Sequence, residues 1–310
     1  MSEKTDAFRP GLVSIITVNF NQTELTCALL ESIRQQDYRD VEVLVVDNAS
    51  ADNPSQIFQE RFPEVKFIRS AQNLGFAGGN NLALPHATGS FLFFVNNDAE
   101  LTDGCIARLV QHLDSTERAG IVSPMICYHP STAYRPPSTV HRLPLIQYVG
   151  MPRVNPFTGR SNMEGNGQEH RGQYPEAFTT GYAHGAAMMM PRNVLDVVGP
   201  MREDYFLYYE EVDWCERLHQ AGYSVWVEPR AMVWHKESMT MAELGTRKTY
   251  YVTRNRILFM RRHFGGWRFV LFTLFLIFVT IPSNLFQYIR KGEWGNMRAF
   301  LKGIINVIIR

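Results

Sequence analysis

The chain has 310 residues, 45% of them hydrophobic and 20% charged, with a formal net charge of +1; this is enough to bury a large core and fits one large domain with an appendage. Its four cysteines, Cys27, Cys105, Cys127 and Cys215, are far apart and lack C-x-x-C spacing, which excludes a zinc ribbon and reads as buried thiols in a reducing compartment. The net charge hides a split, because residues 247–310 hold twelve of the 31 Lys and Arg and one acid, Glu293, so this tail is +11 and residues 1–246 are −10.

An acidic body suits a bound cation, and a basic tail suits an anionic membrane surface. The N-terminus, MSEKTDAFRPG, is too polar for a signal peptide, so the body is expected in the cytoplasm. Val13 to Phe20 is a β-branched run expected as a buried first strand, with Asn21 and Glu24 capping a helix whose Leu25, Leu29 and Ile33 share one face. Val41 to Val46 predicts a second strand ending at Asp47, and Val65 to Ile68 a third. A glycine-rich turn, Asn73 to Asn81, leads into a helix, and residues 91–97 form another apolar strand. This alternation predicts an α/β fold with a mostly parallel sheet covered on both faces.

Eight of the 16 prolines fall between Pro124 and Pro175, which predicts a long irregular excursion of the kind that forms lids or acceptor walls. Beyond it, Gly181 to Met190 reads as a strand, Pro191 opens a short helix, and Tyr209 to Gly222 is a longer helix. Val225 to Val227 and Ala231 to Trp234 are further short strands, and Thr246 to Phe264 is a basic helix. Residues 269–289 then carry no charge over 21 positions, a length that could just span a bilayer. Pro282, Ser283, Asn284 and Gln287 weaken the second half, and basic residues flank both sides. The expected element therefore lies in the membrane interface, with a true span and an apolar helix in a core or dimer interface as the alternatives. Residues 1–245 are read as the catalytic domain and 246–310 as a membrane-associating region.

Four positions carry candidate chemistry. Asp98 ends an apolar strand, where a carboxylate binds Mg2+ or Mn2+ against phosphate oxygens or merely forms a turn. Glu210, Glu211 and Asp213 either complement a helix dipole or, beside Phe206, Tyr208, Tyr209 and Trp214, supply a partly desolvated general base. His235 closes an apolar strand as a structural residue or a ligand for the same cation. Asp47 suits hydrogen bonding to a base or ribose, or a turn, while Gly75, Gly78 and Gly79 permit close backbone approach to phosphate or sugar. Open α/β sheets bind ligands at the carboxyl edge of their strands.

In order, SIITVNFN, LLESIRQQ, EVLVVDNAS, NLGFAGGNN, FLFFVNNDAEL, GAAMMMPR, FLYYEEVDWCERLHQAGY and a following WH resemble the family-two inverting glycosyltransferases, most nearly the bacterial rhamnosyltransferase-like subgroup, over residues 12–240. The resemblance implies a GT-A fold and transfer from a nucleotide-diphosphate sugar, dTDP- or UDP-linked, with inversion at the anomeric carbon. It implies that Thr17, Asn19 and Asp47 line the nucleotide pocket and that Gly75, Asn80 and Asn97 lie near the donor. Asp98 is similar to the last residue of the family's metal motif, His235 to a later metal ligand, and Glu211 to the catalytic acid. Two departures stand out: Asn96-Asn97-Asp98 lacks the motif's first carboxylate, and the base position is Glu, one methylene longer than Asp, with Asp213 as a rival. Together with the apolar tail, the resemblance implies a glycan or polyprenyl-diphosphate-linked acceptor at the inner face of the cell membrane.

Other classes fit less well. A dinucleotide oxidoreductase should show G-x-G-x-x-G after the first strand, where this chain has Val18-Asn19-Phe20-Asn21. A sugar nucleotidyltransferase should show a glycine-rich, basic loop in the same place. The basic residues straddle an apolar segment and do not interleave with exposed aromatics, which argues against nucleic acid as a partner. The remaining alternative is a membrane-associated nucleotide-sugar-binding subunit that has lost turnover.

Overall fold

The computed structural model describes residues 8–131, 143–236 and 245–308. The first strand, β1 (Arg9–Asn19), is buried from Leu12 to Thr17 because both of its faces are covered. β2 (Val41–Asp47) and β4 (Gly89–Val95) flank it in parallel, and β3 (Lys66–Arg69) extends the sheet beside β2. The helices α1 (Thr23–Arg34), α2 (Ser55–Arg61) and α3 (Gly75–Ala83) connect these strands.

The second half adds β5 (Ala99–Leu101), α4 (Cys105–Ser115), β6 (Ala119–Tyr128), β7 (Ile146–Tyr148), β8 (Phe178–Thr180), β9 (Ala187–Pro191), α5 (Arg192–Val198), α6 (Glu210–Gln220) and β10 (Ser224–His235). The sheet order is β3-β2-β1-β4-β9-β6-β10-β5, with β7 on β6 and β8 on β10. β9 runs antiparallel to both β4 and β6, and β10 is parallel to β6. Two reversals restore the direction. The carboxyl ends of β1, β2, β4, β6 and β10, and the amino end of β9, therefore share one edge of the sheet.

The α/β class and mostly parallel sheet agree with the sequence reading, and four local expectations need correction. Asn21 does not cap α1: it adopts a left-handed φ of 56°, its side-chain oxygen accepts the Ala51 N–H, and the helix begins two residues later after Gln22. The strand expected over Gly181 to Met190 starts only at Ala187, because the preceding residues turn at the sheet edge. The two short strands expected after residue 224 are one strand, β10, interrupted by an irregularity in its pairing between Glu228 and Met232. Asn80 is buried within α3 with its amide on the Phe76 carbonyl at 2.9 Å, so its side chain serves its own helix.

Period-two alternation in the central strands separates two cores. Val13, Ile15, Val43, Phe91 and Phe93 face α1 and α4. Ile16, Leu44, Leu92 and Phe94 face the other way, and there they meet Trp214 and Cys215 of α6 together with residues from the tail. The tail comprises α7 (Gly245–His263), α8 (Trp267–Phe275), a π-helical turn (Leu276–Thr280), α9 (Ile281–Lys291) and α10 (Trp294–Ile308). Phe259 and Met260 of α7, Phe272 and Leu276, and Phe300 and Ile304 of α10 all join that second core. Gly303 lets α10 cross α7 closely, since a Cβ there would stand 2.8 Å from the Tyr250 carbonyl oxygen.

α7 also fixes the loop that precedes α6. Phe206, Tyr208 and Tyr209 have φ of 66°, 68° and 76°, a left-handed conformation that costs about 1–3 kcal/mol for each side-chain-bearing residue. The fully buried Asn255 offsets this by donating its amide to the carbonyls of Tyr205, Leu207 and Tyr208 at 2.9, 2.8 and 2.8 Å. Arg254 adds a hydrogen bond to the Asp204 carbonyl at 2.8 Å. Asn255→Ala is expected to lower unfolding stability by about 2–4 kcal/mol, since it strips several inward carbonyls of their donor. Chemical denaturation in mild detergent measures this, and a loss below 1 kcal/mol, roughly the worth of a single hydrogen bond, would contradict it.

Candidate active site

At the shared edge, the ends of β1 and β2 are tied by one polar network. Asn19 donates to the Asp47 carboxylate at 2.9 Å and to Ser50 Oγ at 3.2 Å, and accepts the Thr26 hydroxyl at 2.9 Å. Asn97, beyond β4, donates to that same Thr26 at 3.1 Å. Asp47 is fully buried and paired with Arg69 at 3.4 Å. Asn19, Asp47 and Asn97 are thus brought together, with Thr26 as the hub. Thr17 lies one pleat inward on the same face, buried, with a hydroxyl that has no hydrogen-bond partner. Gly75 closes this end: at φ 74° its Cβ would lie 2.2 Å from the Phe206 carbonyl oxygen, so only glycine permits the contact with the loop before α6.

The second group forms where β4 and β10 end. The Asp98 carboxylate and His235 Nε2 are 3.1 Å apart, both almost completely buried. The opposite ring nitrogen, Nδ1, lies 2.7 Å from Gln147 Oε1. With its amide oxygen facing the ring, Gln147 accepts from Nδ1 and leaves Nε2 as the atom directed at Asp98. Cis ligands of an octahedral ion at about 2.1 Å lie about 3.0 Å apart, so these two atoms fit neighbouring positions on Mg2+ or a similar ion. Among the described residues no cluster of three or more His, Cys, Asp or Glu surrounds such an ion, so remaining ligands would come from the substrate and water. His184 packs against His235 with ring centroids 6.2 Å apart, and burial, followed by the neighbouring His235, pushes its pKa down to about 3. It stays neutral.

The third group opens α6. Glu210 is buried, one carboxylate oxygen lacks any partner, and burial followed by the charge of Glu211 holds its pKa well above the ordinary range. Glu211 is half-buried, and its low-dielectric surroundings push its pKa up to about 7. Glu210 is therefore the neutral member and Glu211 the one that titrates near neutrality.

Asp213, one helical step on, has the opposite environment. It accepts Arg217 Nε at 2.9 Å, His263 at 2.7 Å and the Tyr205 hydroxyl at 3.1 Å, with Arg202 at 3.4 Å. Burial alone would raise its pKa, but the His263 hydrogen bond and the two arginines outweigh that and hold it low. Trp214, expected as an aromatic wall of the site, is instead wholly buried, edge-on to Phe94 at 5.3 Å.

The loop before β9 joins the second and third groups. His184 touches the His235 ring, and its neighbour Gly185 faces Glu211 and Phe76, where a Cβ would stand 4.0 Å from the Glu211 carboxyl carbon and 3.6 Å from Phe76. Consecutive Cα atoms are only about 3.8 Å apart, so the Asp98/His235 pair and the Glu210/Glu211 pair meet the same turn, which makes the space beside it the candidate cleft. Sequence reasoning missed Thr26, Gln147, His184 and His263. A polar residue on the apolar stripe of α1 was the signal for Thr26, whereas Gln147 lies in the aperiodic excursion and gave none.

The profile of Glycosyl transferase family 2 matches residues 14–199. The chain is 26% identical over 270 residues to the N-acetylglucosaminyl-diphospho-decaprenol L-rhamnosyltransferase of Mycobacterium tuberculosis, covering 83% of this chain and 87% of that one. A β-1,3-glucosyltransferase of Campylobacter jejuni, whose name specifies a diphospho-undecaprenol-linked glycan, is 31% identical over 103 residues, about a third of each chain (32% and 33%). The mannosyltransferase of Pyrobaculum calidifontis, solved with GDP-mannose and Mn2+, superposes with a TM-score of 0.58 over 96% of this chain and 86% of its own, at 18% identity. That likeness identifies the GT-A fold. With the profile covering more than half of its length, the chain belongs to glycosyl transferase family 2.

Proposed function

We propose that the protein transfers a sugar, with rhamnose the first candidate, from a dTDP- or UDP-linked donor to a hydroxyl of a polyprenyl-diphosphate-linked glycan, with inversion, at the cytoplasmic membrane face. The observation that carries this reading is the placement of Asp98/His235 and Glu210/Glu211 on two sides of the His184-Gly185 turn. In such a cleft the leaving diphosphate and the attacking hydroxyl lie on opposite faces of one sugar. The rhamnose and lipid-diphosphate elements rest on the relative in Mycobacterium tuberculosis.

Glu211 takes the proton of the acceptor hydroxyl as its oxygen bonds to the anomeric carbon, while the bond to the donor diphosphate breaks with its electron pair leaving on phosphate oxygen. Asp213, saturated by cationic and phenolic partners, instead fastens α6 to α7 through His263. Thr17, Asn19 and Asp47 build the nucleotide end, with Asp47 acting through Asn19 and Arg69. Asp98 and His235 would hold a divalent cation, which when bound offsets charge on the leaving diphosphate. Asn96 and Asn97 leave that pair with one carboxylate, so cation affinity depends on donor phosphate oxygens.

The tail supports the membrane element of the proposal. Trp267 to Lys291 is one helical run of 25 residues whose most apolar 18-residue window has a mean hydropathy of 2.2 and is only 17% buried. Phe272, Leu276 and Thr280 form a buried stripe of four-residue spacing, continued by Leu285 and by Tyr288, which packs on Phe300 of α10. Trp267, Phe278 and Phe286 on the other faces are 62%, 72% and 67% exposed. A helix docked along its length presents an apolar flank parallel to the body, which suits lying in the interface more than crossing it. Residues 1–245 thus act as the catalytic body and 246–310 as its membrane-facing layer.

Glu211→Gln is expected to cut sugar transfer by about 10²–10⁴-fold while the protein stays folded. Near-wild-type turnover would remove it as base, and absent turnover in the wild type would leave the silent binding-subunit reading. Because the base must be unprotonated, kcat/KM should fall as pH drops through about 7, and a flat profile between pH 5.5 and 8.5, roughly the titration range around a neutral base, would contradict the assignment. Asp98→Asn is expected to abolish stimulation by Mg2+ or Mn2+ in chelator-treated enzyme, and retained stimulation would place the cation elsewhere. Phe278→Asp with Phe286→Asp removes two insertable side chains, about 1.5–3 kcal/mol each, and should weaken binding to anionic vesicles by about tenfold or more. Unchanged vesicle sedimentation would exclude this face.

A further inference from the structure

We propose that Arg256 and Arg160 form a clamp for the diphosphate of the lipid-linked acceptor, deepening the reading of the site given above and resting on it. Arg256 lies on α7 one turn before Phe259 and Met260, so the three share a face. Phe259 packs on Tyr209 with ring centroids 5.7 Å apart. Met260 packs on the 155–160 turn, where a Cβ on Gly159 would be 3.3 Å from its sulfur. Arg256 is thereby carried between Tyr209 and Arg160.

Its Nε is buried and lacks a hydrogen-bond partner. Arg160 follows Gly159, which meets Met260 one turn beyond Arg256, so the two guanidinium groups leave neighbouring backbone; burial lowers the Arg256 pKa, Tyr209 partly offsets that, and the charge of Arg160 lowers it further. The ion pairs found among the described residues include neither arginine. Two guanidinium groups held together without a carboxylate favour an anion, and their planar forks match phosphate oxygens.

The surroundings identify which anion. On one side the Tyr209 phenol feels both the Arg256 charge and the Glu211 charge, so the cation pair begins next to the base. On the other side Arg160 Cζ stands 5.1 Å over the ring of Phe275 on α8. Beyond Phe275 the helix exposes Leu274 at 44% and Phe278 at 72%. The order is base, phenol, guanidinium pair, apolar helix. A sugar on a polyprenyl diphosphate has the matching order of hydroxyl, pyranose, diphosphate and isoprenoid. The nucleotide's diphosphate belongs to the Asp98/His235 side of the cleft.

The test is equilibrium binding of farnesyl diphosphate, farnesol and UDP to the full-length protein in detergent, for the wild type, Arg256→Gln and Arg160→Gln. Arg160 is exposed, so its variant does not threaten folding. Each substitution should weaken farnesyl diphosphate binding by about tenfold and leave farnesol and UDP unchanged. Unaltered farnesyl diphosphate binding in Arg160→Gln and in a folded Arg256→Gln overturns the clamp alone. A loss of UDP binding in its place assigns the pair to the donor and also overturns it. A wild type that binds UDP but not farnesyl diphosphate overturns the lipid-acceptor reading and the clamp together.

Discussion

The side-chain amide of Asn255 is the contact on which the arrangement of the site depends. The loop before α6 turns through left-handed positions at Phe206, Tyr208 and Tyr209, none of them glycine. Such a backbone persists only where its inward carbonyls are held, and Asn255 holds those of Tyr205, Leu207 and Tyr208 at once. The loop in turn delivers Glu210 and Glu211 to the start of α6 and sets the Phe206 carbonyl against Gly75 and Phe76, where it accepts the Phe76 N–H at 2.8 Å. A residue of the basic tail thus fixes the geometry at both the start of α6 and the loop at Gly75. Residues 1–245 and the tail are mechanically one piece at this point.

Three acids within four residues take three electrostatic states because their neighbours differ. Glu210 faces an apolar interior with one oxygen unpartnered, Glu211 shares that burial but reaches the cleft beside Gly185, and Asp213 faces two arginines and a histidine. Charge on both glutamates at such separation is unfavourable, so protonating the deeper one leaves a single basic carboxylate at the surface of the cleft. Acids that look equivalent along the chain are separated by what the helix turns them toward.

The sheet and its polar edge were legible in the sequence because β-branched runs such as VSIITV and VEVLVV read as buried strands, and each stops at a polar residue. Asp98, His235 and Glu211 could be singled out for the same reason: each follows or opens an element at the edge. What stayed hidden depends on long-range packing. Gln147 orients the His235 ring from 88 residues away, and His263 reaches Asp213 across 50. Trp214 looked like a site wall by proximity in sequence, and three residues on it does lie on the same side of the helix as Glu211, yet its ring is drawn into the core by edge-on packing with Phe94. Asn21 carries the residue type of a cap but adopts a left-handed conformation to bond the loop after β2, so a tertiary contact overrides a local preference.

The tail's packing also constrains how a lipid substrate could arrive. Six positions from Phe269 to Tyr288 (269, 272, 276, 281, 285 and 288) belong to the core shared by the sheet, α6 and the tail helices, with Tyr288 on Phe300 of α10, so the apolar flank cannot turn without exposing part of that core. The 155–160 turn is pinned to the same surface, with Phe157 against Trp267 at 5.7 Å and Gly159 against Phe272. A chain lying along this flank would reach the turn before it reaches the cleft, and the first charged groups it met there would be those of Arg160 and then Arg256. The 155–160 turn of the stretch that looked aperiodic in the sequence is thus held in place by the tail.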